Sequence, residues 1–434
     1  MNSSAHTEFL RKVDRYLFVF LLLMIAGFFT WSENILITRG IKLVGRNGVL
    51  FGTYMLYRYV QNYGLCDISV KRNQLSYYLY IAYLVLGFAS FTWSTNVGFS
   101  ALQWFMTLQS LVFCVFFIKI LTLIHAYFPD SKIRLFRLLG NSIFLLLVIF
   151  IVGMFVNPDV FFRMTHGGSE ARLGGYLMNP NELGMLAGVG IASLIFNFYE
   201  KHKVVWNGIK IVIIVYALLA TGSRSSLIGV LIILLFHVQQ SNRNIIKGVL
   251  FLGIAILSPI AIYFVVLKGG DPERVEEVLT MTGRLPFWKA LINEGLPREP
   301  FFGFGFMRID YNEYFQSTNT YPGKMTHNTF LQVLMNLGFV GIVLVIFQMI
   351  FTFKGISSLN KEKKIMLLSI SIPIFINSMT EFGIFGESNY GILFYQLIIL
   401  GLFYSYRTKF TSNEKRKMKI SGLRPKFLSL TAEK

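Results

Sequence analysis

Cysteine and charge are both scarce in this sequence. Its only two cysteines, Cys66 and Cys114, fall in a predicted loop and inside a predicted helix, which argues against a disulfide framework and against a CxxC metal site. Charged residues make up 15% of the 434 residues and hydrophobic residues 54%. Many apolar runs reach the ~20 residues that a helix needs to cross a bilayer. The composition therefore predicts an all-α polytopic membrane protein with no soluble domain of ordinary size.

The first apolar run lacks a convincing small-residue cleavage site, so we expect a retained signal-anchor helix. Similar runs predict about twelve transmembrane helices within a membrane domain of residues 1–406. The predicted spans are residues 16–31, 43–60, 75–93, 100–123, 139–156, 182–199, 206–221, 225–239, 248–267, 328–352, 365–381 and 389–406. An even number of spans places both termini on the same side of the membrane.

Basic residues predict the orientation. The formal net charge is +19, and Lys and Arg recur in alternate loops, which is the positive-inside pattern of cytoplasmic loops. Residues 407–434 contain nine basic residues against two acidic ones, which predicts a basic cytoplasmic tail near anionic lipid. Because the positive charge lies in these loops and in the tail, we expect both termini in the cytoplasm and no nucleic-acid partner.

The longest polar segment, residues 269–326, lies between two predicted spans on the extracytoplasmic side. Apolar residues at helical spacing between Pro272 and Glu294 predict one or two short amphipathic helices at the membrane interface. Residues 303–306 (Gly-Phe-Gly-Phe) predict a tight turn. We therefore look for function in this outer loop and in the shorter motifs that could meet it.

Arg224 is predicted to lie at the outer tip of a helical hairpin. Residues 204–238 would form ~52 Å of helix, too long for one ~30 Å hydrocarbon core, so the chain must turn back near residues 221–226 (Thr-Gly-Ser-Arg-Ser-Ser). One interpretation is an interfacial Arg that reaches lipid phosphate. The small residues on either side, Ser223 among them, would instead expose backbone donors beside the guanidinium, a combination that suits phosphate binding.

Arg284 precedes another predicted helix start, and its helix N-terminus could add free N–H groups to a second anion site, with Trp288 close by. The alternative is a solvated loop Arg. His327 and Asn328 open the tenth span, where the positive helix end disfavours imidazolium and favours a neutral imidazole that can accept a proton. A purely structural His is the alternative here, and His166 is the rival outer histidine.

A second outer loop, residues 157–181, contains Arg172 beside the Asn179-Pro180-Asn181 turn. With Ser223, Asn328 and Trp288, these polar residues are the predicted substrate-binding set. Two outer Arg residues and a His at a helix start suit diphosphate binding and hydroxyl activation. Neither an acidic pair in the spans nor a DxD motif nor an outer His/Cys cluster is present, so we expect no catalytic metal and no cofactor.

The ordered set of motifs resembles one family, the O-antigen ligase and O-antigen polymerase superfamily of bacterial membrane enzymes, over about residues 170–350. The matching segments are residues 174–184 around Asn-Pro-Asn, 221–224 (Thr-Gly-Ser-Arg), 282–284 (Thr-Gly-Arg) with Trp288, 303–305 (Gly-Phe-Gly), and 327–332 (His-Asn-Thr-Phe-Leu-Gln) running into Leu337-Gly338. The resemblance implies a GT-C-like, metal-independent, inverting glycosyltransferase. It also implies that Arg224, Arg284 and His327 are the essential catalytic residues, with a weaker match at Arg172.

The resemblance further implies an undecaprenyl-diphosphate-linked glycan donor and a site on the outer face of the bacterial inner membrane. The acceptor would be a growing glycan if the protein is a repeat-unit polymerase, which the motif forms favour, or lipid A-core if it is a ligase. Membrane lipids and polysaccharide-assembly proteins are the other expected partners. A transporter or flippase would also have twelve spans, but should carry ionisable residues deep in them.

Overall fold

The computed structural model describes residues 3–67, 69–71, 74–165, 170–199, 204–265, 284–306, 326–381, 383–406, 412–423 and 425. Several sequence predictions lie outside these residues: His166, the first part of the outer loop up to residue 283, its later part at residues 307–325, and most of the basic tail.

The described part of the chain is predominantly helical. In order, its helices are α1 (Ser3–Ala26), α2 (Ile35–Asn62), α3 (Gln74–Ala89), α4 (Val97–Tyr127), α5 (Leu135–Val156), α6 (Pro158–Phe161), α7 (Pro180–Tyr199), α8 (Val204–Thr221), α9 (Arg224–Gln240), α10 (Asn244–Val265), α11 (Arg284–Ala290), α12 (Thr329–Ser357), α13 (Lys361–Thr380), α14 (Tyr390–Phe403) and α15 (Ser412–Ser421). All except α6, α11 and α15 overlap a predicted span.

Six stretches within the described residues are long and apolar enough to cross a membrane. They are Gln74–Thr92, Val97–Tyr127, Leu135–Val156, Val204–Thr221, Asn244–Tyr263 and Thr329–Ser357, and α9 and α14 are shorter apolar helices. Large apolar side chains remain exposed along α2, α8 and α10, as expected for helices that face lipid. The prediction of an all-α polytopic membrane protein is confirmed.

Helix α7 lies at the centre of the bundle, packed against α5, α8, α9 and α13. Its glycines allow close approach, since a Cβ atom at Gly184 would lie 2.6 Å from Ser226 Oγ, and one at Gly188 would lie 2.9 Å from Pro373 Cβ. Small residues at membrane helix interfaces permit this kind of packing. Helix α7 thereby fixes the relative positions of α9 and α13.

Two short antiparallel ribbons mark opposite ends of the bundle. Strand β1 (Ser69–Lys71) pairs with β4 (Tyr404–Tyr406), which directly follows α14. Strand β2 (Phe162–Thr165) pairs with β3 (Glu170–Leu173), which precedes α7. We call the end with β2 and β3 the site end and the end with β1 and β4 the tail end.

Helix α12 is broken at Gly338, whose backbone is non-helical (φ 62°, ψ −160°). Residues 300–306, which precede α12 in sequence, insert into this break. Phe304 N donates to Met335 O at 2.9 Å, and Phe339 N donates to Pro300 O at 2.8 Å. The predicted turn at residues 303–306 is part of this insert. The backbone groups freed by the break are therefore satisfied by a loop at the site end, as buried polar groups require.

Candidate functional site

The site is built around Glu381, a residue that follows directly after α13 and is 1% exposed at its side chain. Its Oε1 accepts hydrogen bonds from Arg284 Nη2 at 2.8 Å and from Asn181 Nδ2 at 2.7 Å. Its Oε2 lies 2.6 Å from Nδ1 of His327. One buried carboxylate thus joins three residues that the sequence predicted separately.

Glu381 is ionised in this environment. Burial opposes its ionisation, but the adjacent His327 and Arg284 and the hydrogen bond from Asn181 outweigh burial and lower the pKa to about 2. An ionised carboxylate can only accept hydrogen bonds, so Nδ1 of His327 is the donor. This fixes the tautomer of a neutral His327 and makes Nε2 its basic nitrogen.

His327 is held by its neighbours in a backbone conformation that L-residues rarely adopt, with φ 49°. On its C-terminal side, Asn328 Oδ1 caps α12 by accepting from the backbone N–H groups of Phe330 at 2.9 Å and Leu331 at 3.1 Å. On its N-terminal side, Trp288 Nε1 donates to Thr326 O at 2.6 Å. In this structure Asn328 and Trp288 position the histidine.

Arg284, the first residue of α11, is directed into the protein. Besides Glu381, it donates through Nη1 to the carbonyl oxygen of Thr380. Its side chain is 13% exposed, and its Nε is buried without a hydrogen-bond partner among the described residues. Arg284 therefore neutralises Glu381 and ties α11 to the end of α13.

Arg172 connects three elements at the site end. Its Nε donates to Thr221 O, and its Nη2 donates to Asn181 Oδ1, both at 2.7 Å. Asn181 then reaches Glu381, while its backbone N–H donates to Asn179 Oδ1 at 2.9 Å. The Asn-Pro-Asn motif is thus the start of α7, and Arg172 links it to the end of α8.

Arg224 lies at the first position of α9, after the predicted turn at Gly222 (φ 60°). Ser223 caps this helix through its Oγ, which accepts from Ser226 N at 3.4 Å and donates to Ser226 Oγ at 2.8 Å. In the portion of the chain that the structure describes, Arg224 makes neither a hydrogen bond nor an ion pair. It borders a small pocket with Leu218, Leu219, Gly222, Ser223 and Leu227.

The two predicted catalytic arginines thus differ in whether protein acceptors bind their guanidinium groups. The guanidinium of Arg284 is committed to protein acceptors, whereas that of Arg224 is half-buried and has no such acceptor within the described ranges. No group of three or more His, Cys, Asp or Glu side chains in those ranges could hold a metal ion. The residues brought together can therefore orient one imidazole and offer a guanidinium to an anion.

Sequence reasoning missed Glu381. The available signal was a single acid at the end of an apolar run, since Ser369–Thr380 contains no charged residue. The predicted topology places this acid on the same side of the membrane as His327. A charge at a membrane boundary needs a partner or a function. This holds for Glu381 as it does for Arg224.

Residues 209–346 match the family model described as O-antigen ligase, and no curated protein matches the chain. The matched region contains Arg224, Arg284 and His327, while Arg172, Asn181 and Glu381 lie outside it. This match points to a glycosyltransferase-like ligase or polymerase activity. Over this region, about a third of the chain, the protein is similar to the O-antigen ligase family.

Proposed function

We propose that this protein is an inverting, metal-independent glycosyltransferase that moves a glycan from undecaprenyl diphosphate to an acceptor sugar hydroxyl. The observation that carries the proposal is the contact between His327 Nδ1 and the buried Glu381 carboxylate at 2.6 Å. A base held by a buried acid is a recurring device for activating a hydroxyl group. The family match supports the class of reaction.

In the proposed reaction, Nε2 of His327 takes the proton of the acceptor hydroxyl as its oxygen attacks the anomeric carbon of the first donor sugar. The bond from that carbon to the diphosphate oxygen breaks, and its electron pair leaves with undecaprenyl diphosphate. Attack from the side opposite the leaving group inverts the anomeric configuration. Glu381 stabilises the imidazolium that forms, and His327 should contribute roughly 10²–10⁴ in rate.

Arg224 neutralises the charge that develops on the diphosphate. It is suited to this role because its guanidinium has no acceptor among the described residues and stands at a helix start. Arg284 acts indirectly. It keeps the Glu381 carboxylate ionised, and that carboxylate holds His327. The roles proposed for the two arginines are therefore a diphosphate ligand and a positioning residue.

We place the site end on the outer face of the bacterial inner membrane and propose a repeat-unit polymerase as the specific activity, with ligation to lipid A-core as the alternative. The test is purified protein with an undecaprenyl-diphosphate-linked oligosaccharide and a chelator, with and without lipid A-core. A product ladder from the donor alone identifies a polymerase. A single shift that needs lipid A-core identifies a ligase.

His327→Ala should abolish product in this assay, while His6→Ala, at the tail end where His6 contacts Tyr63, should retain it. Folded wild-type protein that yields no product from its native glycan would contradict the proposed function and favour a transporter. Transfer that requires a divalent cation would contradict metal independence.

A further inference from the structure

The ribbon at the site end places two arginines opposite each other. In the register of β2 and β3, Arg163 faces Arg172. Side chains of directly opposed residues in an antiparallel pair lie on the same face of the ribbon. Because the Arg172 guanidinium contacts Thr221 O and Asn181 Oδ1, that face is turned towards the site. Arg163 therefore lies on the site-facing side of the ribbon, on β2, which is one strand further from the site than β3.

A third arginine extends this row. A Cβ atom at Gly222 would lie 3.3 Å from Arg172 Nε, so Arg172 lies against the turn that precedes Arg224. Both Arg163 and Arg224 repel the charge of Arg172, which Glu170 and Glu381 partly offset. We name Arg163, Arg172 and Arg224 the arginine row.

Like charges directly opposed on a ribbon destabilise it, so the arginine row is unfavourable without an anion. Arg172 is already committed to Thr221 and Asn181. Arg163 is exposed and, as far as the structure describes the chain, has no hydrogen bond or ion pair, and the same holds for Arg224. The two outer members of the row are thus available to an anion, while the guanidinium of the middle member is bound to protein acceptors.

We propose that Arg163 is a further donor-binding residue, which together with Arg224 binds the diphosphate of the lipid-linked donor. The inference rests on the proposed glycan transfer and extends it to a residue outside the matched domain. Two guanidinium groups can each give paired N–H donors to phosphate oxygens, and they match the charge of a diphosphate better than one. Arg163 would act on donor binding and leave proton transfer at His327 unchanged.

The test compares Arg163→Gln with wild type and with Arg298→Gln, which removes an exposed arginine from another loop at the site end. Arg163→Gln should raise KM for the donor, and the concentration of inorganic diphosphate that halves activity, by on the order of tenfold, as expected for one lost hydrogen bond to a charged group. The value of kcat should fall as well, because a guanidinium bound to the leaving diphosphate also stabilises the charge that develops on it. Arg298→Gln should leave all three quantities at the wild-type level.

Thermal stability distinguishes the proposed binding role of Arg163 from a purely structural one. Loss of Arg163 removes repulsion from Arg172, so the melting temperature of Arg163→Gln should equal or exceed that of wild type. A lower melting temperature together with unchanged donor KM would overturn the proposal. An increase in donor KM without a change in diphosphate inhibition would also overturn it, because the anion would then lie elsewhere on the donor.

Phospholipid head groups offer the same phosphate chemistry. The comparison is therefore run in nanodiscs of neutral lipid and in nanodiscs that contain anionic lipid. The proposal requires the same KM difference in both, and a difference confined to anionic lipid would overturn it. If wild-type protein transfers glycan and Arg163→Gln behaves like wild type, only this inference fails; if wild type transfers no glycan, the proposed function fails first.

Discussion

Glu381 decides whether His327 can act as a base. In Glu381→Gln the side chain keeps its size, but the amide cannot accept from both Arg284 and His327 and carries no charge to stabilise imidazolium. We expect kcat to fall roughly 10³–10⁴-fold, the scale of losing the acid that orients a catalytic imidazole. The check is kcat at saturating donor, with folded protein confirmed by size-exclusion chromatography. Activity near the wild-type level would refute the role of the His327–Glu381 pair.

The lowered pKa of Glu381 predicts a direction for acid stability. In the folded protein its pKa lies at about 2, below its ordinary value of 4.5, so its ionisation stabilises the fold above about pH 4.5 and that contribution is lost as the pH falls through 2. Melting temperatures of wild type should therefore decline more between pH 5 and pH 2.5 than those of Glu381→Gln. Parallel declines in the two proteins would show that another group dominates acid unfolding.

The two catalytic candidates Arg224 and Arg284 should separate in a stability assay. Arg284→Ala leaves the buried Glu381 without its ion-pair partner, a loss of roughly 3–5 kcal/mol by analogy with broken buried pairs. Arg224→Ala removes no hydrogen bond or ion pair found among the described residues and should leave the melting temperature nearly unchanged. Both variants should lose glycan transfer. Equal destabilisation by both would contradict the distinction between a diphosphate ligand and a positioning residue.

Arg224→Lys extends the same comparison. Lysine keeps the positive charge and has no fold-related contact to replace, but it lacks the planar fork that binds two phosphate oxygens. We expect normal abundance and a transfer rate well below that of wild type. Full activity would show that charge alone suffices at this position.

Much of the site could be predicted from sequence because its residues stand at helix boundaries with recognisable turn chemistry. His327, Asn328 and the turn before Arg224 are examples. Glu381 could not be found in that way, since its partners lie 54, 97 and 200 residues away in sequence. Likewise, the sequence predicted an anion site at Arg284 and did not indicate that the buried Glu381 carboxylate would neutralise this arginine.

At the scale of elements, hydropathy predicted the long helices well because apolar length is the main requirement for crossing a membrane. It did not predict the break in α12. The Gly303-Phe304-Gly305 and Leu337-Gly338 motifs meet through backbone atoms, and such contacts leave no pattern of side-chain polarity. Their contacts lock residues 300–306 onto α12 at its break.

This lock can be tested at Gly338. A Cβ atom there would lie 2.3 Å from the carbonyl carbon of Phe301, and φ is 62°, so Gly338→Ala should cost at least ~2 kcal/mol through overpacking and strain. Transfer activity should fall with stability because α12 carries His327 at its start. Gly401→Ala in α14 is the matched control, since nothing lies within 4 Å of its added Cβ atom. An equal effect of both substitutions on melting temperature would contradict the lock.

At the scale of the whole molecule, the site requires elements from both sides of the matched region. The matched region 209–346 supplies Arg224, Arg284 and His327, but β3, α7 and the end of α13 supply the residues that hold them. The described helices bring these parts together at the site end of the bundle. Helix α15 follows the tail-end strand β4 in sequence, and its Lys415, Arg416 and Lys419 are exposed. The proposed chemistry needs the first end outside and the second end in the cytoplasm.

That orientation gives the last prediction. In a background of Cys66→Ser and Cys114→Ser, Arg298→Cys at the site end should react with a membrane-impermeant maleimide in intact cells whose outer envelope has been opened. Lys415→Cys should react only after the inner membrane is permeabilised, because lysine and arginine accumulate on the cytoplasmic side. Both positions are exposed in the folded protein, so equal labelling after permeabilisation is the control for accessibility. Labelling of Lys415→Cys from outside would place the arginine row and His327 in the cytoplasm, where an outer-face glycan donor could not reach them.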